Sequence, residues 1–163
     1  NGEHSIEVQV PFVQYLFEGS KILPVIVPPT EDSISFGSEL GEFLQDCSKS
    51  IVLAASTDLT HYGPGYGFCP QGKGPGGIEW AKEVNDAEFI DFLVNLESKK
   101  ALDHSIANYS ACGGGAAAVV AEAVRKLGVY KGKLLEHTHS SEILQNLYGQ
   151  SSTESVGYAS IVF

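Results

Sequence analysis

The apolar run Ile51-Val52-Leu53-Ala54-Ala55 ends abruptly in Ser56-Thr57-Asp58-Leu59-Thr60-His61-Tyr62-Gly63. A short, wholly apolar run reads as a strand buried on both faces, the pattern of an inner strand in an α/β sheet. Polar residues that follow it directly leave the strand at its carboxyl end, where ligand sites of α/β sheets form. An imidazole transfers protons near neutral pH or binds a metal, and a nearby carboxylate can orient it. Asp58 and His61 are therefore candidate catalytic groups, His61 as general acid or base and Asp58 as the group that fixes its ring. A capped turn followed by a surface histidine explains the same spacing, and both readings stay open here.

The rest of the chain alternates between helix and strand signals. Residues 21–27 form another apolar run, closed by Pro28-Pro29, and read as a buried strand. Residues 5–17 fit both a strand alternation and a helix face; a helix kinked at Pro11, starting near Ser5 and stopped by Gly19, is expected. Residues 33–47 place Ile34, Leu40, Phe43 and Leu44 at helical spacing. Residues 62–77 hold seven Gly and three Pro and read as a long loop, either a lid, a binding loop or simply mobile. Residues 79–96 read as an amphipathic helix with Trp80, Val84, Phe89, Phe92 and Leu93 available for burial. An Ala/Val-rich helix over 116–127, stopped by Gly128, has a small face suited to lying close against a sheet. Residues 133–137 and 155–163 read as strands, the second apolar on both faces. This order predicts an α/β fold, a mixed β-sheet flanked by helices, in a single domain over residues 1–163.

Composition narrows the function classes. A chain of 163 residues with 43% hydrophobic content can build one real core. Its net charge of -10, with only 10 Lys and Arg, disfavours nucleic acid and an anionic membrane surface as partners. No run reaches the length of a membrane span, and no signal-peptide pattern opens the chain. Cys47, Cys69 and Cys112 are odd in number and form no C-x-x-C, which fits a reducing, cytoplasmic setting. The absence of Met and the polar opening Asn1-Gly2-Glu3-His4 lead to the expectation that a longer protein has lost its front part.

Two further clusters carry candidate chemistry. Cys112-Gly113-Gly114-Gly115 leads into the Ala-rich helix, whose amino end favours anions and thiolates. Cys112 is then a metal ligand or nucleophile, or alternatively a small buried hydrophobe at a tight turn. Glycines such as Gly113 let the backbone approach a ligand. Glu3-His4-Ser5-Ile6-Glu7 suits a polar pocket wall, and a solvated helix start explains it equally well. His104, His137 and His139 read as structural or surface residues, and Cys47 and Cys69 have no ligand partners nearby in sequence.

These pieces together resemble the Memo family, also called AmmeMemoRadiSam system protein B. The resemblance rests on Glu3-His4-Ser5-Ile6-Glu7-Val8-Gln9-Val10-Pro11-Phe12, on the segment from Ser56 to Gly63, on Ala111-Cys112-Gly113 and on Val156-Gly157-Tyr158-Ala159. It implies part of a class III extradiol dioxygenase-like fold, in which a non-haem Fe(II) sits at a sheet edge. It makes Cys112 a metal ligand, His61 an acid/base, and Asp58 and His4 pocket residues, with Glu3 and Gly113 in the same pocket. The family's two other ligands are histidines in a front segment that this sequence lacks. Fe(II) or Cu is thus expected in the complete protein and none in this fragment, since such sites usually need three protein ligands. The implied function is a metal-dependent redox protein acting on a small molecule. The alternative is a non-catalytic binding or signalling module that uses the same pocket for a small molecule or peptide. A radical-SAM protein and a small companion protein are the implied partners.

Overall fold

Pro11 lies in the first turn of α1 (Val10–Leu16), where its missing N–H leaves no helical bond unmade. The expected helix is there, but the proline starts it rather than kinking it, and a 3₁₀ turn (Glu7–Gln9) precedes it. Gly19, at a φ of 78°, reverses the chain beyond its end. This computed structural model describes residues 5–163; Glu3 and His4, expected on a pocket wall, lie outside them.

Helix α2 (Asp32–Gln45) forms as its sequence predicts, but its buried face is Ser33, Gly37 and Gly41. That face meets α6 (Gly114–Lys126) backbone to backbone. A Cβ on Gly37 would stand 2.8 Å from the Val119 carbonyl oxygen, and one on Gly41 2.7 Å from that of Ala123. The small face of α6 therefore packs on helices, α2 and then α5 (Ser98–Asn108), rather than on the sheet expected for it. Gly128, at a φ of 91°, lies just past the α6 end as expected.

The predicted amphipathic helix begins earlier than 79 and is not uniform. It runs as α3 (Pro75–Trp80), a π-helical turn (Ala81–Asp86) and α4 (Ala87–Val94). Phe89, Ile90 and Leu93 enter the main core with Leu59, Leu96, Ala101, Ala117 and Ala121. Helix α5 (Ser98–Asn108) has no strong sequence signal because its buried face is partly polar: it buries Ala101, Leu102, His104 and Ser105.

Among the described residues the sheet has three antiparallel strands in the order β1 (His61–Tyr62), β3 (Ser155–Val162), β2 (Lys133–His139), with α7 (Ser140–Tyr148) between β2 and β3 in sequence. His61 stands opposite Val156, and His139 opposite Gly157. Only Ser155, Val156 and Gly157 of β3 are buried, so this strand is not covered along its whole length. Helices and strands interleave in an α/β architecture. Residues 21–27 and 51–55, expected as strands, form none among the described residues. A strand needs a neighbour to complete its ladder, and no described segment pairs with either run; Leu23 and Val52 are 85% and 74% exposed. No helix of the described residues is long and apolar enough to cross a membrane.

Candidate functional site

Thr57 ties the motif to the start of α6. Its Oγ1 accepts the Gly113 N–H at 2.7 Å and donates to the Asp58 carbonyl at 2.8 Å, while the Cys112 N–H donates to that same carbonyl at 3.2 Å. Glycine is required at 113 because a Cβ would come within 2.8 Å of the Ser56 carbonyl oxygen. At Gly115 the close neighbour is the Pro28 carbonyl oxygen. The ends of both apolar runs thus converge on the amino end of α6. Gly113, expected as a pocket residue, makes its close approach to the chain itself, and its N–H is bonded to Thr57.

Strand β1 sets the direction of His61. Thr60 and Tyr62, on either side, are buried, and the alternation leaves the His61 ring half-exposed. Tyr62 also anchors the Gly/Pro-rich loop, donating its hydroxyl to the Gly72 carbonyl at 2.8 Å and accepting the Gln71 N–H at 3.1 Å. Ser56 Oγ donates to the Ser5 carbonyl at 2.9 Å, which brings the described start of the chain to the same place.

Asp58, His61 and Cys112 come together. His61 Nε2 lies 3.3 Å from Asp58 Oδ2, and Cys112 Sγ lies 3.7 Å from Thr57 Oγ1. One carboxylate oxygen, one ring nitrogen and the sulfur all fall within 4.8 Å of one another. Cys112 is exposed, which removes the reading of it as a buried small hydrophobe. Two tyrosines join the cluster without having been marked as site residues. The Tyr66 ring sits 5.1 Å from that of His61. The Tyr158 hydroxyl titrates above its ordinary range, chiefly through burial and then through the charge of Asp58 and the proximity of Tyr66. Tyr158 belongs to the Val156-Gly157-Tyr158-Ala159 segment, which was the available signal; Tyr66, in the Gly/Pro-rich loop, had none.

His104, His137 and His139, read from the sequence as structural or surface residues, all make contacts within the fold. His104 is buried, with Nδ1 2.8 Å from Ser110 Oγ and its ring edge-on to Phe92. His139 caps α7 by accepting the Glu142 N–H. His137 Nε2 is buried 3.6 Å from Asp86 Oδ2.

The family model for Memo-like proteins matches residues 1–162. The chain is 35% identical to a MEMO1 family protein of Pyrococcus furiosus, over 98% of its own length and 56% of the relative. It is 34% identical to one of Methanosarcina mazei, over 98% and 54%, and 31% identical to one of Thermococcus onnurineus, over 99% and 56%. The chain thus spans about half the length of the curated relatives it matches. A family model that covers nearly every residue, including both convergent segments, leaves one conclusion: this chain belongs to the Memo-like protein family.

Proposed function

We propose that Asp58, His61 and Cys112 are this chain's share of a metal-dependent redox centre of the kind found in class III extradiol dioxygenases. The observation that carries the reading is the convergence of oxygen, nitrogen and sulfur donors within 4.8 Å. The donor set fits such a group. Thiolate and imidazole suit iron or copper, and Asp58 offers the third donor that the sequence alone did not assign. A bound Fe(II) or copper ion would supply Lewis-acid and one-electron chemistry toward a small oxidant or substrate.

The chain's own groups have separable roles. Cys112 supplies the sulfur donor, two residues ahead of the start of α6. In the metal-free chain Asp58 accepts the His61 Nε2–H and fixes the ring, leaving Nδ1 to take up or release a proton; with an ion bound, the same imidazole and carboxylate would serve as its donors. Tyr66 shields one side of that ring. The His61 and Asp58 side chains are 38% and 48% exposed, so solvent reaches both.

Anaerobic titration with Co(II) tests the reading, because a cobalt–thiolate bond gives an intense near-ultraviolet band. The band is expected in the wild-type chain and is lost in Cys112→Ser. His61→Ala weakens binding by about 10-fold or more, as expected for loss of a group at the metal. A wild-type chain without the band, or a Cys112→Ser variant that keeps it, overturns the assignment. The same exposure favours a second reading, a non-catalytic recognition site for a small molecule or peptide. Metal-independent binding of a phosphotyrosine peptide that is abolished by His61→Ala is the result that would select it.

A further inference from the structure

We infer that Asp86 is a positioning residue for His61, acting through Thr60. Asp86 closes the π-helical turn and is only 1% exposed. Its Oδ1 accepts both the Thr60 N–H, at 2.9 Å, and the Thr60 hydroxyl, at 2.5 Å. Asn85, its neighbour on the same turn, donates to Thr60 Oγ1 at 2.9 Å and to the Asn108 carbonyl at 3.0 Å. The Thr60 carbonyl in turn accepts the Gly157 N–H at 3.1 Å. The residue immediately before His61 is therefore held by its N–H, its hydroxyl and its carbonyl at once.

The surroundings are shaped to admit this carboxylate. A Cβ on Gly157 would overlap Asp86 Oδ2, so the β3 residue beside it carries no side chain. Consecutive residues Asn85 and Asp86 both reach Thr60 because the π turn widens the helix there, a device common at functional sites. Burying a carboxylate is costly when a neutral amide could accept the same two bonds. His137 Nε2 faces Oδ2 at 3.6 Å and has no hydrogen-bond partner among the described residues. Asp86 and the Gly157 gap thus fix one point, the backbone at Thr60. A shift of that point moves the His61 ring relative to Asp58 and Cys112, and such constellations tolerate displacements of only about 0.5 Å.

The inference rests on reading Asp58 and His61 as the working pair of the site. Its test uses this chain with Asp86→Ala, Asp86→Asn and Thr60→Val. Three quantities are measured: His61 ring-proton shifts in the metal-free protein, which sense the Tyr66 ring current, the melting temperature, and Co(II) affinity. Asp86→Ala is expected to move the His61 resonances and to weaken Co(II) binding by about 10- to 100-fold, the range for partners one step behind a ligand. Asp86→Asn, whose Oδ1 accepts the same bonds, restores both at an unchanged or higher melting temperature. A folded Asp86→Ala protein with wild-type His61 resonances overturns the inference, and so does an Asp86→Asn protein that behaves like Asp86→Ala. Should Asp86→Ala fail to fold, Thr60→Val decides: moved His61 resonances support the inference, and unmoved ones overturn it. Absence of cobalt binding in the wild type would remove the metal reading alone, because the His61 resonances decide this one without metal.

Discussion

His139 shows how a histidine can serve the fold by capping a helix. Its Nδ1 accepts the Glu142 N–H at 3.3 Å, and the hydroxyls of Ser141 and Ser155 stand 2.9 and 3.0 Å away. A ring nitrogen that accepts carries no proton. Burial lowers the His139 pKa below its usual 6.5, aided by Lys82 and His137 and opposed by Glu142 and Asp86. The folded chain therefore takes up this proton later than the unfolded chain as pH falls. The contribution to stability is complete above 6.5 and declines as pH drops through that value toward the folded pKa. Denaturant midpoints measured between about pH 7.5 and about pH 5.5 should fall in the wild type. His139→Asn, which keeps a capping oxygen, should flatten that slope; equal slopes would exclude His139 as its source. The sequence read His137 and His139 as structural or surface residues at a strand end, and marked Asp58, His61 and Cys112 because each stands in a short recognisable segment. It could not mark Asp86, whose role arises only when a π turn brings it to Thr60 and a missing side chain at Gly157 leaves it room.

At the scale of elements, periodicity found the long helices but misjudged what they pack with. Ile34, Leu40, Phe43 and Leu44 in α2 looked like a core stripe. The face in contact with α6 is instead Ser33, Gly37 and Gly41, and Phe43 is 64% exposed. Apolar spacing reports burial by side-chain chemistry, whereas close helix approach is made by the absence of side chains. Helix α5 was missed for a related reason: its buried positions include serine and histidine, which carry no hydrophobic signal. A reversal of the usual expectation follows. Gly37→Val improves nothing at the surface and forces a branched side chain against the Val119 carbonyl and Glu122 Cβ, 2.8 and 2.9 Å from where its first carbon must sit. It should destabilise the chain by about 1–3 kcal/mol, as overpacking does. Phe43→Ala should change stability by less than about 0.5 kcal/mol. Urea unfolding of the two variants measures both, and a larger loss at Phe43 would refute this account of the α2–α6 seam.

For the molecule as a whole, the two apolar runs that most suggested inner strands are the segments the described structure leaves without a ladder. A run of apolar residues states what its side chains avoid; it does not supply the neighbour whose N–H and C=O groups complete a strand. Leu23, Ile26 and Val52 are 85%, 74% and 74% exposed. Exposed apolar side chains in such runs promote association, and unpaired backbone groups add to it. The net charge of -10 works against it through mutual repulsion. Salt screens that repulsion over a Debye length of about 10 Å at 0.1 M and leaves the apolar attraction in place. Sedimentation velocity should therefore show the mass of the chain rising above 17.4 kDa as salt is added. Leu23→Lys combined with Val52→Lys should suppress the rise. Each substitution also adds a positive charge and so weakens the repulsion between copies; suppression in spite of that change assigns the attraction to these apolar side chains. A double variant that associates as strongly as the wild type would locate the attractive surface elsewhere on the molecule.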